Sequence, residues 1–116
     1  MNVAQLVEWF GLEVTAGAAG LEREVHAGYC GDLLSDVMAN APAGCIWLTV
    51  QGHMNIVAVA LLREMAAIVL TGDRDPDPDT VQRADQEGIP LLRRRRPSYE
   101  LAGELYAVGV GSPPPG

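Results

Sequence analysis

The chain contains no lysine, since all eight of its basic residues are arginine. That absence removes the phosphate-gripping lysine of a Walker loop, any Schiff-base lysine and any anchor for pyridoxal phosphate. Basic charge is scarce as well. Asp and Glu number 15 against those 8 arginines, for a formal net charge of −7. This is the wrong sign for a nucleic-acid partner, whose phosphates need a basic face. Cysteine is limited to Cys30 and Cys45, with no CxxC spacing. Both fall in or at the end of an expected buried strand, where a thiol acts as a small hydrophobe rather than a metal or redox group. No apolar run reaches the roughly 18 residues that a bilayer span requires, so no membrane is expected. No basic segment leads into an apolar one at the N-terminus, so no secretory leader is expected and the cytoplasm is the default compartment. GxSxG, HExxH and P-loop motifs are missing, so neither a recognisable catalytic set nor a cofactor is expected.

What is present is an ordinary globular composition, 116 residues with 48% apolar and 20% charged side chains, enough for one domain with a single core. Residues 1–110 read as that domain and 111–116 as a flexible Gly/Pro tail. The organising stretch is Cys45 to Leu62, CIWLTVQGHMNIVAVALL. Its first half is short, β-branched and aromatic, and reads as a buried strand. A polar turn follows, Gln51-Gly52-His53-Met54-Asn55, and then a helix rich in Ala, Val and Leu with Asn55 as its N-cap.

The same grammar recurs along the chain. Asn2 caps a helix over Val3 to Phe10, which Gly11 ends. Residues 12–14 and 21–24 suggest a small hairpin or lobe. Val25 to Cys30 reads as a strand, with Asp32 capping a helix from Leu33 to Asn40. Ala66 to Leu70 is a further strand. Asp77 and Pro78 open a helix over Asp79 to Glu87, stopped by Gly88. Ile89 to Leu92 is the last strand, and Ser98 caps a helix from Tyr99 to Val108. Strands that are apolar throughout, alternating with helices, predict a small three-layer α/β domain with a mostly parallel four- to five-stranded sheet and helices on both faces.

In such a sheet ligands bind beyond the carboxyl ends of the strands, near helix N-termini. Three Gly-containing turns fall there, and together they name the candidate ligand-binding residues: Gly31 and Asp32; Gln51, Gly52, His53 and Asn55; Gly72 and Asp73. His53 either donates to an anion or works as an acid/base near neutral pH, or it simply stabilises its turn. His26, at the start of another strand, reads as structural. The spaced acids Asp73, Asp75, Asp77 and Asp79 do not make an EF-hand, because Pro78 falls where that loop needs Gly and Ala84 where it needs Glu. No metal site is expected. Arg93 to Arg96 either pair with this acidic loop, line an anion site or are solvated.

Three blocks carry a family likeness. They are Tyr29-x-Gly31-Asp32-Leu33-Leu34-Ser35; Trp47-Leu48-Thr49-Val50-Gln51-x-His53-x-Asn55-Ile56-Val57-Ala58-Val59-Ala60; and Ile89-Pro90-Leu91-Leu92 with Ser98-Tyr99-Glu100-Leu101-Ala102-Gly103. Together they resemble the DRTGG-domain family, and most of all standalone proteins similar to the amino-terminal domain of HPr kinase/phosphorylase. The literal motif of the family is missing, its nearest echoes being Gly31-Asp32 and Leu70-Thr71-Gly72-Asp73. The resemblance implies an accessory module, regulatory or dimerising. The kinase activity of HPr kinase belongs to a separate P-loop domain and is not implied. Standalone relatives accompany iron-only hydrogenase genes, which implies a redox-enzyme partner. The expected function is thus a non-catalytic regulatory or ligand-binding module, a homodimer holding a nucleotide or other small anion at the strand ends. The alternative is an interaction scaffold, associated with a redox or phosphotransfer enzyme, that has no ligand pocket.

Overall fold

Asn2 closes the first helix in both directions. Its side-chain oxygen accepts from the Gln5 backbone N–H at 2.9 Å, and the Gln5 side chain accepts from the Asn2 N–H at 2.8 Å, a reciprocal cap that satisfies two otherwise orphaned donors. The computed structural model describes residues 1–111. From that capped start the described chain runs α1 (Val3–Phe10), β1 (Glu13–Ala16), a 3-10 turn (Ala18–Gly20), β2 (Ala27–Cys30), α2 (Leu34–Asn40), β3 (Cys45–Thr49), α3 (Asn55–Leu62), β4 (Ala67–Thr71), α4 (Pro78–Glu87), β5 (Leu91–Arg94) and α5 (Ser98–Ala107).

The five strands form one sheet in the order β1-β5-β4-β3-β2. β2, β3, β4 and β5 are mutually parallel, and β1 pairs antiparallel with β5. β3 and β4 lie at the centre and are buried at every residue, which is why their sequences are apolar throughout instead of alternating. Successive residues of each strand serve different clusters. Cys45, Trp47, Ile68, Leu70 and Leu91 pack with Val37 of α2, Ile56 and Val57 of α3 and Ala84 of α4. Ile46, Leu48, Val69 and Leu92 pack with Val3 and Leu6 of α1 and Leu101 and Leu105 of α5. Among the described residues no helix is long and apolar enough to cross a membrane.

Several element boundaries differ from those the sequence implies, for local reasons. β2 begins at Ala27, because the Val25 N–H is taken by the Met1 carbonyl at 3.0 Å. No hairpin forms ahead of the sheet. Residues 18–20 make the 3-10 turn, Glu24 meets Asn2 through a single bridge, and β1 crosses to the far edge to pair with β5. β5 begins one residue after Pro90, which has no N–H, and runs on through Arg93 and Arg94, so half of the arginine run lies within the sheet. α3 stops at Leu62, short of a continuation of its run into Arg63-Glu64-Met65, and Glu64 adopts a left-handed φ of 53° just beyond it. α5 begins at Ser98 rather than after it. Of the expected tail, residues 112–116 lie outside the described residues, but Gly111 does not dangle: its carbonyl accepts the Gly28 N–H of edge strand β2 at 2.9 Å.

Gly17 is the tightest backbone position. Its φ is +74°, and a Cβ there would stand 1.9 Å from the Ile89 carbonyl oxygen. Its N–H donates to Asp85 Oδ1 at 2.7 Å, tying the turn after β1 to α4. Gly17→Ala is therefore expected to cost about 3 kcal/mol in urea unfolding, from left-handed strain plus displacement of backbone. Gly11→Ala, with a similar φ of +61° and no atom within 4 Å of the new Cβ, is expected to cost only about 1 kcal/mol.

Candidate functional site

All four parallel strands end at one edge of the sheet, and the predicted residues collect there in three groups. In the first, Asp32 does not cap α2. The N-cap position belongs to Leu33, which offers no side-chain acceptor. Instead Asp32 Oδ1 accepts from Thr49 Oγ1 at 2.9 Å and from the Val50 N–H at 2.8 Å. Gln51 closes the loop from the other side, donating through Nε2 to the Asp32 carbonyl at 3.1 Å while its N–H reaches Thr49 Oγ1 at 3.2 Å. Gly31 is held in the same net, its N–H donating to the Leu48 carbonyl at 3.1 Å and its carbonyl accepting the Trp47 indole N–H at 2.9 Å.

The second group is the turn itself. Asn55 is the first residue of α3 and not its cap. His53 supplies the acceptor, its Nδ1 taking the Asn55 N–H at 3.1 Å. In this arrangement the ring holds the turn against the start of α3. The Gly52 carbonyl turns towards α4, accepting the Asp77 N–H at 3.0 Å and Thr80 Oγ1 at 2.7 Å. Asp77 precedes Pro78 as expected but makes no side-chain cap.

The third group lies at the end of β4. The Gly72 N–H donates to the Arg96 carbonyl at 2.9 Å, and Asp73 pairs with Arg95 at 2.8 Å. The structure brings Gly31, Asp32 and Gln51 into direct contact, and each of the other predicted residues is bonded to a neighbour outside that net.

Sequence reasoning missed the hydroxyls. Thr49, Thr71 and Thr80 are the buried polar residues of the described chain, and each is satisfied: Thr49 by Asp32, Thr80 by Gly52, and Thr71 by the Ser98 hydroxyl. A threonine closing an apolar strand just before a glycine turn, as at Thr71-Gly72, was the available signal. The arginine run is also spoken for. Arg93 meets Asp75 at 2.6 Å and Glu13 at 3.9 Å, Arg96 meets Glu100 at 2.7 Å, and Arg94 forks both nitrogens onto Glu104. Pairing with acids, one of the readings open from sequence, is thus met by all four side chains, in part with the acidic loop. The Arg94 guanidinium holds the Glu104 carboxyl below the usual carboxylate range. That pair's contribution is in place above the ordinary range and is lost as pH falls through the lowered value.

Two cavities are lined by other residues. One of about 340 Å³ sits between β2 and α5, walled in part by Tyr29, Cys30, Leu48, Ala102, Tyr106 and Val110. Another of about 550 Å³ opens near His26, Gly44, Glu64 and Met65. Tyr29 donates to Asp36 Oδ2 at 2.6 Å, and that hydrogen bond, with burial, raises its pKa. Cys30 is exposed, contrary to its expected burial, and Cys45 is buried. Burial pushes the Cys45 thiol up to about 11; at Cys30, exposed as a residue, partial desolvation of the thiol raises it as well, with the Asp32 charge adding to it. Both stay protonated at neutral pH, the poor form for a nucleophile or ligand. Among the described residues no three His, Cys, Asp or Glu side chains are grouped to hold a metal ion. No family model matches the chain, and no curated protein matches it.

Removing the Asp32 carboxylate strands the buried Thr49 hydroxyl and the Val50 amide together. Asp32→Ala is expected to lower unfolding free energy by about 2 kcal/mol, and His53→Ala, which frees only one exposed helix-end donor, by about 0.5–1 kcal/mol. Denaturant titration of both variants checks that order.

Proposed function

We propose that the chain is a non-catalytic regulatory or binding module, the role its likeness to the DRTGG family implies, working in the cytoplasm as a homodimer beside a redox or phosphotransfer enzyme. In this reading the domain has three layers, with α1 and α5 over one face of the sheet and α2, α3 and α4 over the other. The division of its apolar residues into two clusters supports that layering.

One contrast carries the proposed role. The polar groups at the strand ends are spent on one another, while Leu33 and Met54, beside them at the starts of α2 and α3, stand 69% and 39% exposed. A catalytic edge keeps acids, bases or nucleophiles unengaged and aimed at a reacting atom. An edge that is internally satisfied and flanked by apolar side chains suits contact with another macromolecule.

A second reading, in which the same edge also holds a nucleotide or other small anion, is favoured by one observation. His53 Nε2 has no partner among the described residues, and it stands on a Gly-containing turn at a helix N-terminus.

Light scattering is expected to give the mass of a dimer, and Leu33→Ser with Met54→Ser the mass of a monomer. A wild-type monomer at about 0.1 mM protein would contradict the dimer. Thermal-shift measurements with nucleotides and acyl phosphates at millimolar concentration separate the two readings. Stabilisation that disappears in His53→Ala supports the anion, and no stabilisation leaves the contact module alone.

A further inference from the structure

Arg93 is an unusual member of its run. Its side chain is only 11% exposed, and both acids that reach it, Asp75 and Glu13, approach the same nitrogen, Nη1. Nη2 is buried and has no hydrogen-bond partner among the described residues. Native interiors rarely leave such a donor orphaned unless a water or an ion serves it. Arg94, by contrast, gives both terminal nitrogens to the two oxygens of Glu104.

Beside Arg93 lies a cavity of about 170 Å³, lined by Gly11, Glu13, Arg93, Arg94 and Arg95. This is several times the roughly 30 Å³ share of one water molecule and has room for a tetrahedral oxyanion. Three of its five lining residues are arginines, the side chain whose planar fork matches phosphate with two parallel hydrogen bonds.

The acids already present are the displaceable partners. Asp75, Glu13 and Asp73 are 77%, 67% and 86% exposed, whereas Arg93 is fixed in the sheet. An exposed carboxylate that lets go regains water at little loss, since surface pairs are weak. The buried guanidinium has no such recourse.

We propose that this cavity, at the C-terminal end of β5, is a binding site for a phosphate-class oxyanion. Arg93 and Arg95 supply the cations, and the exposed acids that hold them, Glu13, Asp75 and Asp73, act as built-in competitors that the anion displaces. The site goes beyond the module reading, because it needs neither a dimer nor the His53 turn.

The test is a titration of the full chain with inorganic phosphate against chloride at matched ionic strength, following the arginine Nε–Hε resonances. The Arg93 resonance is expected to shift saturably. Asp75→Asn, which removes a competitor, is expected to tighten binding about two- to fivefold, the worth of one exposed ion pair. Arg93→Gln is expected to abolish the accompanying shift of the Arg95 resonance. Should that variant fail to fold, wild type and Asp75→Asn decide the matter between them. An unmoved Arg93 resonance, or an Asp75→Asn affinity no higher than wild type, overturns the proposal. A parallel titration with adenosine monophosphate separates the sources: tighter binding than phosphate assigns the site to a nucleotide's phosphoryl group, and equal binding assigns it to the free anion.

Discussion

Where β2 and β3 end, the sheet no longer serves their backbone groups, and one carboxylate takes over. Asp32 Oδ1 bridges the chain after β2 to the Thr49 hydroxyl and Val50 amide at the end of β3. Gln51 returns from the β3 side to the Asp32 backbone, and the Trp47 indole reaches back to Gly31. Because these bonds run in both directions, the two turns hold each other, and α2 and α3 leave the sheet from fixed points. α4 joins through the Gly52 carbonyl, which binds both the Asp77 amide and the Thr80 hydroxyl. A buried hydroxyl left without its partner costs about 1–3 kcal/mol, so each threonine at this edge commits its neighbour to one geometry.

Charge is handled by the same economy of partners. A chain of net charge −7 places four consecutive arginines at the end of an interior strand, and each finds an acid elsewhere in the fold. Glu13 comes from β1, Asp73 and Asp75 from the loop after β4, and Glu100 and Glu104 from α5. The run thereby ties β5 to three other segments. Arg93 differs from its neighbours in having a buried nitrogen, Nη2, with no partner among the described residues, and in being held at Nη1 by two exposed acids.

Much of the fold was legible in the sequence because its signals are local. The continuous apolar runs around Trp47 and Val69, broken by glycine turns, mark buried parallel strands, and Gly11 and Gly88 mark the ends of their helices. The edge that carries the candidate site followed from the strand direction alone. Partners did not. Asp32 and Asn55 have the chemistry of helix caps, yet Asp32 is drawn to β3 and Asn55 is itself capped by His53. Arg93 and Arg94 look like loop residues until the antiparallel β1 and its Glu13 are placed beside them. Such choices depend on register between segments far apart in the chain, which no local pattern encodes. Cys30 was misread for a related reason: β2 is an edge strand, and only its position in the sheet reveals that its end is exposed.

The proposed role of this edge as a fixed contact surface depends on its being closed by its own bonds. Amide hydrogen exchange at Val50 tests that closure most directly. With Asp32 in place the Val50 N–H is expected to exchange at least about 100-fold more slowly than in an unstructured peptide, in step with the end of β3, and to lose that protection in Asp32→Ala. Exchange of Val50 at the free-peptide rate in the wild-type chain, with Trp47 and Leu48 still protected, would show an open edge and contradict it.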